Sequence, residues 1–282
     1  MPNNALNLNN LRLAVLIDAE NVPRNCIKSV MEEIAIYGTP TVKRIYGDWT
    51  SPTISGWKIS LLENAITPIQ QYSYTTGKNS SDSAMIIDAM DILYSDKTDG
   101  FVIVSSDSDF TRLAIRLREA GQRVIGIGER KTPNAFIAAC DKFTYIEVIR
   151  DGGGAAQQDD EDEAVATLDG SHLDNYVTVQ KSNSQQRDRN NVTSRVRGLR
   201  VPNPVINLIA DSVSDLAGDD GVVFMGELGN LILKKQPDFD HRNYGYKSLS
   251  AMIKSIGRFD IEFRQTADPN IKHVFVRDKE AS

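Results

Sequence analysis

Four aspartates in the first half of the chain stand where a carboxylate needs a reason. Asp18 closes the apolar run Leu13–Asp18 (LAVLID), and Asp82 stands at the head of the apolar stretch Ser83–Tyr94. Asp107 and Asp109 follow another apolar run, Gly100–Ser105 (GFVIVS), in the string Ser105-Ser106-Asp107-Ser108-Asp109-Phe110. Taken singly, Asp82, Asp107 and Asp109 could each cap a helix. Asp18 has no such explanation, because a carboxylate at the end of a buried strand is costly without partners. If gathered, the four would repel one another unless divalent cations neutralised them. A donor set made of carboxylate oxygens favours Mg²⁺ or Mn²⁺ over zinc. No histidine is available nearby, since His172, His241 and His273 all lie beyond residue 150. Cys26 and Cys140 are isolated among apolar neighbours and read as buried thiols rather than zinc ligands or nucleophiles.

Those acids must be positioned by the elements around them. The periodicity predicts strands over Leu13–Asp18, Thr41–Tyr46, Ile66–Tyr72, Gly100–Ser105, Val124–Ile127 and Tyr145–Val148. Helices are expected over Cys26–Tyr37, Gly56–Asn64, Ser83–Tyr94, Phe110–Ala120 and Asn134–Ala139. Alternation of this kind implies an α/β fold, a parallel sheet with helices on both faces. Ligands of such sheets bind beyond the carboxyl ends of the strands, which is where Asp18, Asp107 and Asp109 fall.

The 282 residues suffice for two domains, and 40% hydrophobic with 25% charged residues suits a soluble protein. No apolar run is long enough to cross a bilayer, and the first residues lack a basic segment followed by an apolar core, so a cytoplasmic protein is expected. The net charge of −6 is unevenly spread. Residues 1–150 carry 16 Lys and Arg against 17 Asp and Glu, and residues 195–282 carry 13 against 12. Residues 151–194 carry 3 against 9, in stretches such as DGGGAAQQDDEDEA and KSNSQQRDRNN that lack clustered apolar residues. The expected division is therefore a domain over 1–150, an acidic flexible linker over 151–194 and a second domain over 195–282. The near-neutral domains leave a nucleic-acid partner open.

The strings LAVLIDAEN, KNSSDSAMIIDAMD and FVIVSSDSDFTRLAIRLREAGQRVIGIGE, in that order, resemble the signature blocks of the NYN family of PIN-like nucleases. The resemblance spans residues 11–148 and implies a metal-dependent ribonuclease, with Asp18, Asp82, Asp107 and Asp109 as the metal-binding acids. Asn21 would brace the site, and Asp88 would support it from behind the ligands or serve the fold. The implied reaction is hydrolysis of an RNA phosphodiester by metal-activated water. Ser105, Ser106 and Thr111 offer groups for phosphate, and Lys78 could hold a substrate phosphate or be a solvated turn lysine. Trp49, after the second strand, could stack on a base or close the core.

Beyond the linker, helices are expected over Pro204–Ala217, Met225–Lys234 and Tyr246–Ile256, with strands over Phe259–Arg264 and His273–Val276. Three helices and a hairpin make a winged helix. The string from Gly229 through Pro237-Asp238-Phe239-Asp240 to Tyr244-Gly245-Tyr246-Lys247-Ser248-Leu249 resembles the LOTUS, or OST-HTH, domain. That resemblance implies an RNA-binding module, or one that docks a protein partner, with the helix headed by Tyr244–Lys247 facing RNA and Lys247 on its backbone. Three rivals remain. Asp107-Ser108-Asp109-Phe110-Thr111 fits the nucleophile motif of haloacid-dehalogenase-like phosphatases, but there Asp18 and Asp82 would have no task. A dinucleotide enzyme is disfavoured because Gly126-Ile127-Gly128-Glu129 follows the wrong strand and lacks a third glycine. An RNA-binding adaptor with an idle acidic site is the non-enzymatic alternative.

Overall fold

A computed structural model of the chain describes residues 11–72, 80–152, 200–218, 220–265 and 272–280. Six parallel strands form its main sheet: β1 (Leu11–Asp18), β2 (Gly38–Gly47), β3 (Thr67–Gln70), β4 (Gly100–Val104), β5 (Arg123–Gly128) and β6 (Lys142–Tyr145). Between and after them run α1 (Ile27–Tyr37), α2 (Lys58–Asn64), α3 (Ser80–Tyr94), α4 (Thr111–Glu119), α5 (Asn134–Ala139) and α6 (Ile146–Gly152). The strand order is β3-β2-β1-β4-β5-β6, so the winding reverses between β1 and β4 and leaves a crevice at their carboxyl ends.

Alternation along the central strands decides what faces each layer. Leu13, Val15 and Ile17 of β1 join Val102 and Val104 of β4 in the core under α1, α2 and α6. Ala14 and Leu16 join Phe101 and Ile103 in the core under α3, α4 and α5. Strand β4 is buried throughout and β1 from Leu13 onward, which is why they read as continuous apolar runs. Continuing the same parity, Asp18 and Ser105 turn toward the α3 layer.

The expected strand over Tyr145–Val148 is not formed. Strand β6 ends at Tyr145, and Ile146 begins α6. Ile146 and Ile149 both bury in the core beneath α1, a placement that three-residue spacing allows on a helix and forbids on a strand. Most of the expected linker, residues 153–194, lies outside the described residues.

The C-terminal part contains α7 (Asn203–Leu216), β7 (Val222–Phe224), α8 (Met225–Lys235), α9 (Leu249–Ile256), β8 (Phe259–Gln265) and β9 (Lys272–Asp278). Its antiparallel sheet has the order β7-β9-β8, the strand and helix order of a winged helix. Ile209, Leu228, Ile232, Met252, Ile253 and Val276 are fully buried in its core. The helix expected from Tyr246 starts later. Gly245 takes a left-handed turn at φ 77°, and the Ser248 hydroxyl accepts the Ala251 N–H at 3.1 Å as the cap of α9. Lys247 therefore precedes the helix cap.

The two parts are joined by a polar seam along β6 and α1. The Phe143 N–H donates to the Pro237 carbonyl at 2.8 Å, covering part of the sheet's edge strand. Tyr145 donates its hydroxyl proton to Asp238 at 2.8 Å. Arg242 grips Glu33 with two N–H groups at 2.7 and 2.8 Å and also pairs with Asp240 at 2.7 Å. Glu33 is 5% exposed and Asp240 7%. Burial pushes both carboxyls up, but Arg242 hydrogen bonds and the Arg242 and Lys142 charges outweigh it and leave both below their ordinary values. Lys142 stands over the Tyr37 ring at 5.3 Å, its ammonium lowered by burial.

Candidate acidic site

The rim at the β1–β4 crevice is assembled from three elements. Asp18 ends β1 and is buried. Its carboxylate accepts the Ser105 hydroxyl at 2.8 Å, the Asn21 amide at 2.7 Å and the Glu20 backbone N–H at 3.0 Å. Ser105, fully buried, also accepts the Asp107 N–H at 3.1 Å, so one hydroxyl ties β1 to the turn after β4. That turn is a short 3₁₀ segment, Ser108–Phe110, capped by Asp107, which accepts the Asp109 N–H at 2.9 Å. Asp107 thus caps a helix, as its position allowed, and shares in the cluster as well.

Helix α3 supplies the third element. Its buried stripe runs through Met85, Ala89 and Ile92, and Asp82 lies on that stripe one turn earlier, at the rim. Carboxylate oxygens of Asp82, Asp107 and Asp109 lie within 4.8 Å of one another, a spacing that a single cation can span. The Asp82 carboxyl is pushed up to about 6, first by burial and then by the charges of Asp18, Asp107, Asp109 and Glu20. An acid whose proton affinity is raised by like-charged neighbours marks a place where negative charges crowd together. The all-oxygen donor set fits Mg²⁺ or Mn²⁺.

The remaining expected residues divide. Asn21 braces Asp18 directly. The Ser106 hydroxyl accepts the Glu129 N–H at 2.8 Å, and the Thr111 hydroxyl donates to the Ser108 carbonyl, so both stabilise the turns around the rim. Asp88 bonds Arg44 and the Tyr46 hydroxyl, joining α3 to β2. Trp49 donates its indole N–H to the Ile69 carbonyl at 3.0 Å and lines a hollow with Ile54, Leu61 and Pro68, turned toward β3. Lys78 lies outside the described residues. Lys247 is exposed on the C-terminal part. At Gly128 an added Cβ would come within 2.6 Å of the Ser105 carbonyl, so this glycine permits β5 to approach β4.

The sequence had not singled out Glu20, which is exposed beside Asp18 and borders a cleft with Arg24, Asn25 and Asp48. Its signal was its place in Asp18-Ala19-Glu20-Asn21. The seam acids had a fainter one: Glu33 lies three residues beyond Val30 on the buried stripe of α1.

A parallel α/β domain with an acidic rim at its switch point, followed by a winged-helix module, is the class that fold and site define. Residues 12–147 match the family model of the NYN domain, and residues 201–271 that of the OST-HTH/LOTUS domain. The chain is an NYN domain followed by an OST-HTH/LOTUS domain, which gives the first part a nuclease-type fold and the second an RNA-binding type of module. Among solved structures, the chain is similar to a protein of unknown function, VPA0982 from Vibrio parahaemolyticus, at 19% identity and a TM-score of 0.42. That match covers 49% of this chain and 94% of the other. It is also similar to an uncharacterized protein from locus NE0665 of Nitrosomonas europaea, at 30% identity and a TM-score of 0.28, covering 37% and 95%. No curated protein matches the chain. Among the described residues no helix is long and apolar enough to cross a membrane.

Proposed function

We propose that the rim holds a divalent cation and hydrolyses RNA phosphodiester bonds, with the C-terminal module engaging the same RNA. The observation that carries this is the meeting of Asp82, Asp107 and Asp109 beside the buried Asp18. Asp82, Asp107 and Asp109 would hold Mg²⁺ or Mn²⁺, which when bound neutralises the developing phosphoryl charge and acidifies a water. Asp18 is locked by Asn21, Ser105 and the Glu20 N–H, so its oxygens keep one orientation behind the cluster. Asp109 is exposed and would accept the proton of the attacking water.

The test is cleavage of end-labelled single-stranded RNA by the purified full chain in Mg²⁺, in Mn²⁺ and in excess EDTA. Cleavage should need the metal and vanish in Asp107→Asn, with the circular dichroism spectrum unchanged. Cleavage that persists in EDTA, or in that variant, contradicts the proposal.

A further inference from the structure

The seam determines where RNA held by the C-terminal module can go. Asn243 accepts the Arg130 guanidinium at 3.5 Å, and Arg130 also lies over the Tyr145 ring at 5.3 Å. The residue before it, Glu129, donates its N–H to Ser106, the neighbour of Asp107. Ser106, Glu129 and Arg130 therefore form a chain of contacts from the acidic rim to the C-terminal module. On the other side of Asn243 the chain turns at Gly245 and presents Lys247 just before the cap of α9.

Five basic side chains of the module are held in ion pairs. Arg242 holds Glu33 and Asp240, Arg258 holds Asp278 and Glu280, and Lys235 holds Asp215. Arg264 pairs with Glu262, and Lys279 with Asp260. Arg130 and Lys247 are exposed, and neither has a carboxylate within ion-pairing distance among the described residues. In a module with nearly balanced charge, individually placed cations can position a phosphate backbone.

We propose that one single-stranded RNA is bound by both domains at once, its phosphates running from Lys247 across the seam past Arg130 to the acidic rim. The Arg242–Glu33 grip then serves to hold the two halves of this surface in register. The proposal rests on the acidic rim being the RNA-processing site, yet it is read out by binding alone.

The experiment measures fluorescence anisotropy of 5′-labelled oligouridylates of increasing length. It uses full-length protein carrying Asp107→Asn, in Mg²⁺, so that binding is separated from hydrolysis. Affinity should rise with length until the strand spans the seam and then level off. On the long oligomer, Arg130→Glu and Lys247→Glu should each weaken binding about tenfold and lower the salt slope by about one. On an oligomer too short to span, no more than one of the two should matter. Both positions are exposed, so these variants should fold. Arg130→Glu without effect at every length, or an unchanged length dependence when Arg242→Gln loosens the grip, overturns the shared path. Absence of RNA binding by the folded protein also overturns it and points to a protein partner.

Discussion

Carboxylates behave oppositely in two places within one chain. At the rim, Asp82 is surrounded by Asp18, Asp107, Asp109 and Glu20, and its proton affinity rises. At the seam, Glu33 and Asp240 are buried as deeply, yet Arg242 and Lys142 hold them charged. Burial alone raises all three carboxyls, so the sign of the neighbours separates the two places. The seam closes its charges within the chain and thereby holds two domains together. The rim gathers like charges around Asp82, as a site for a cation does.

The sharpest way to separate the two is to neutralise one acid in each. Asp107→Asn should reduce RNA cleavage by more than the roughly 10–100-fold typical of a residue behind a metal ligand. It should leave the unfolding midpoint of the metal-free protein unchanged or higher, because like charges are relieved. A variant that is inactive because it is unfolded would break the distinction. At the seam the expectation is reversed. Arg242→Ala strips the partner from buried Glu33 and should cost about 3 kcal/mol in denaturant unfolding. Hydrogen exchange at the Phe143 amide should quicken, while metal-dependent cleavage of a short RNA persists. An undisturbed amide would mean that the grip does not hold the domains.

A smaller effect is expected at Ser105, which touches only the back of the rim. Ser105→Ala removes a bond to Asp18 and one from the Asp107 N–H, and should lower cleavage about 10–100-fold through weaker metal affinity. Restoration of the rate by raised Mn²⁺ would show that the hydroxyl positions the acids; a rate insensitive to metal concentration would assign it another role.

Acidity should separate the regions most subtly. Because the folded value of Asp82 is raised, its contribution favours the native state in acid and is lost as pH rises through about 6, in the absence of metal. Saturating Mg²⁺ should flatten that slope. Glu33 and Asp240 have lowered values, so their contribution is present above the ordinary carboxylate range and is lost as pH falls below it. Denaturation midpoints across pH, with and without Mg²⁺, check both signs; a metal-free slope that Mg²⁺ leaves unchanged would detach Asp82 from a cation site.

The rim was legible because its acids interrupt strong patterns. Asp18 ends an apolar strand, and Asp82 extends the stripe Met85–Ala89–Ile92 by one turn. The parity that turns Asp18 and Ser105 to one face follows from strand alternation. The seam was not legible, because Glu33 announces only that it needs a partner, and Arg242 lies 209 residues away. Local pattern also misplaced β6, since an Ile–Glu–Val–Ile run suits strand and helix alike until its packing against α1 is known. Trp49 could not be assigned from its position, because only the Ile69 carbonyl reveals which way its indole turns.

Calorimetric titration of the metal-free full chain with Mn²⁺ tests the central claim most directly. Binding with proton release near pH 6, lost in Asp82→Asn and in Asp107→Asn but kept in Arg242→Ala, is the predicted result. No binding by the native chain, or binding that survives both aspartate substitutions, would contradict it.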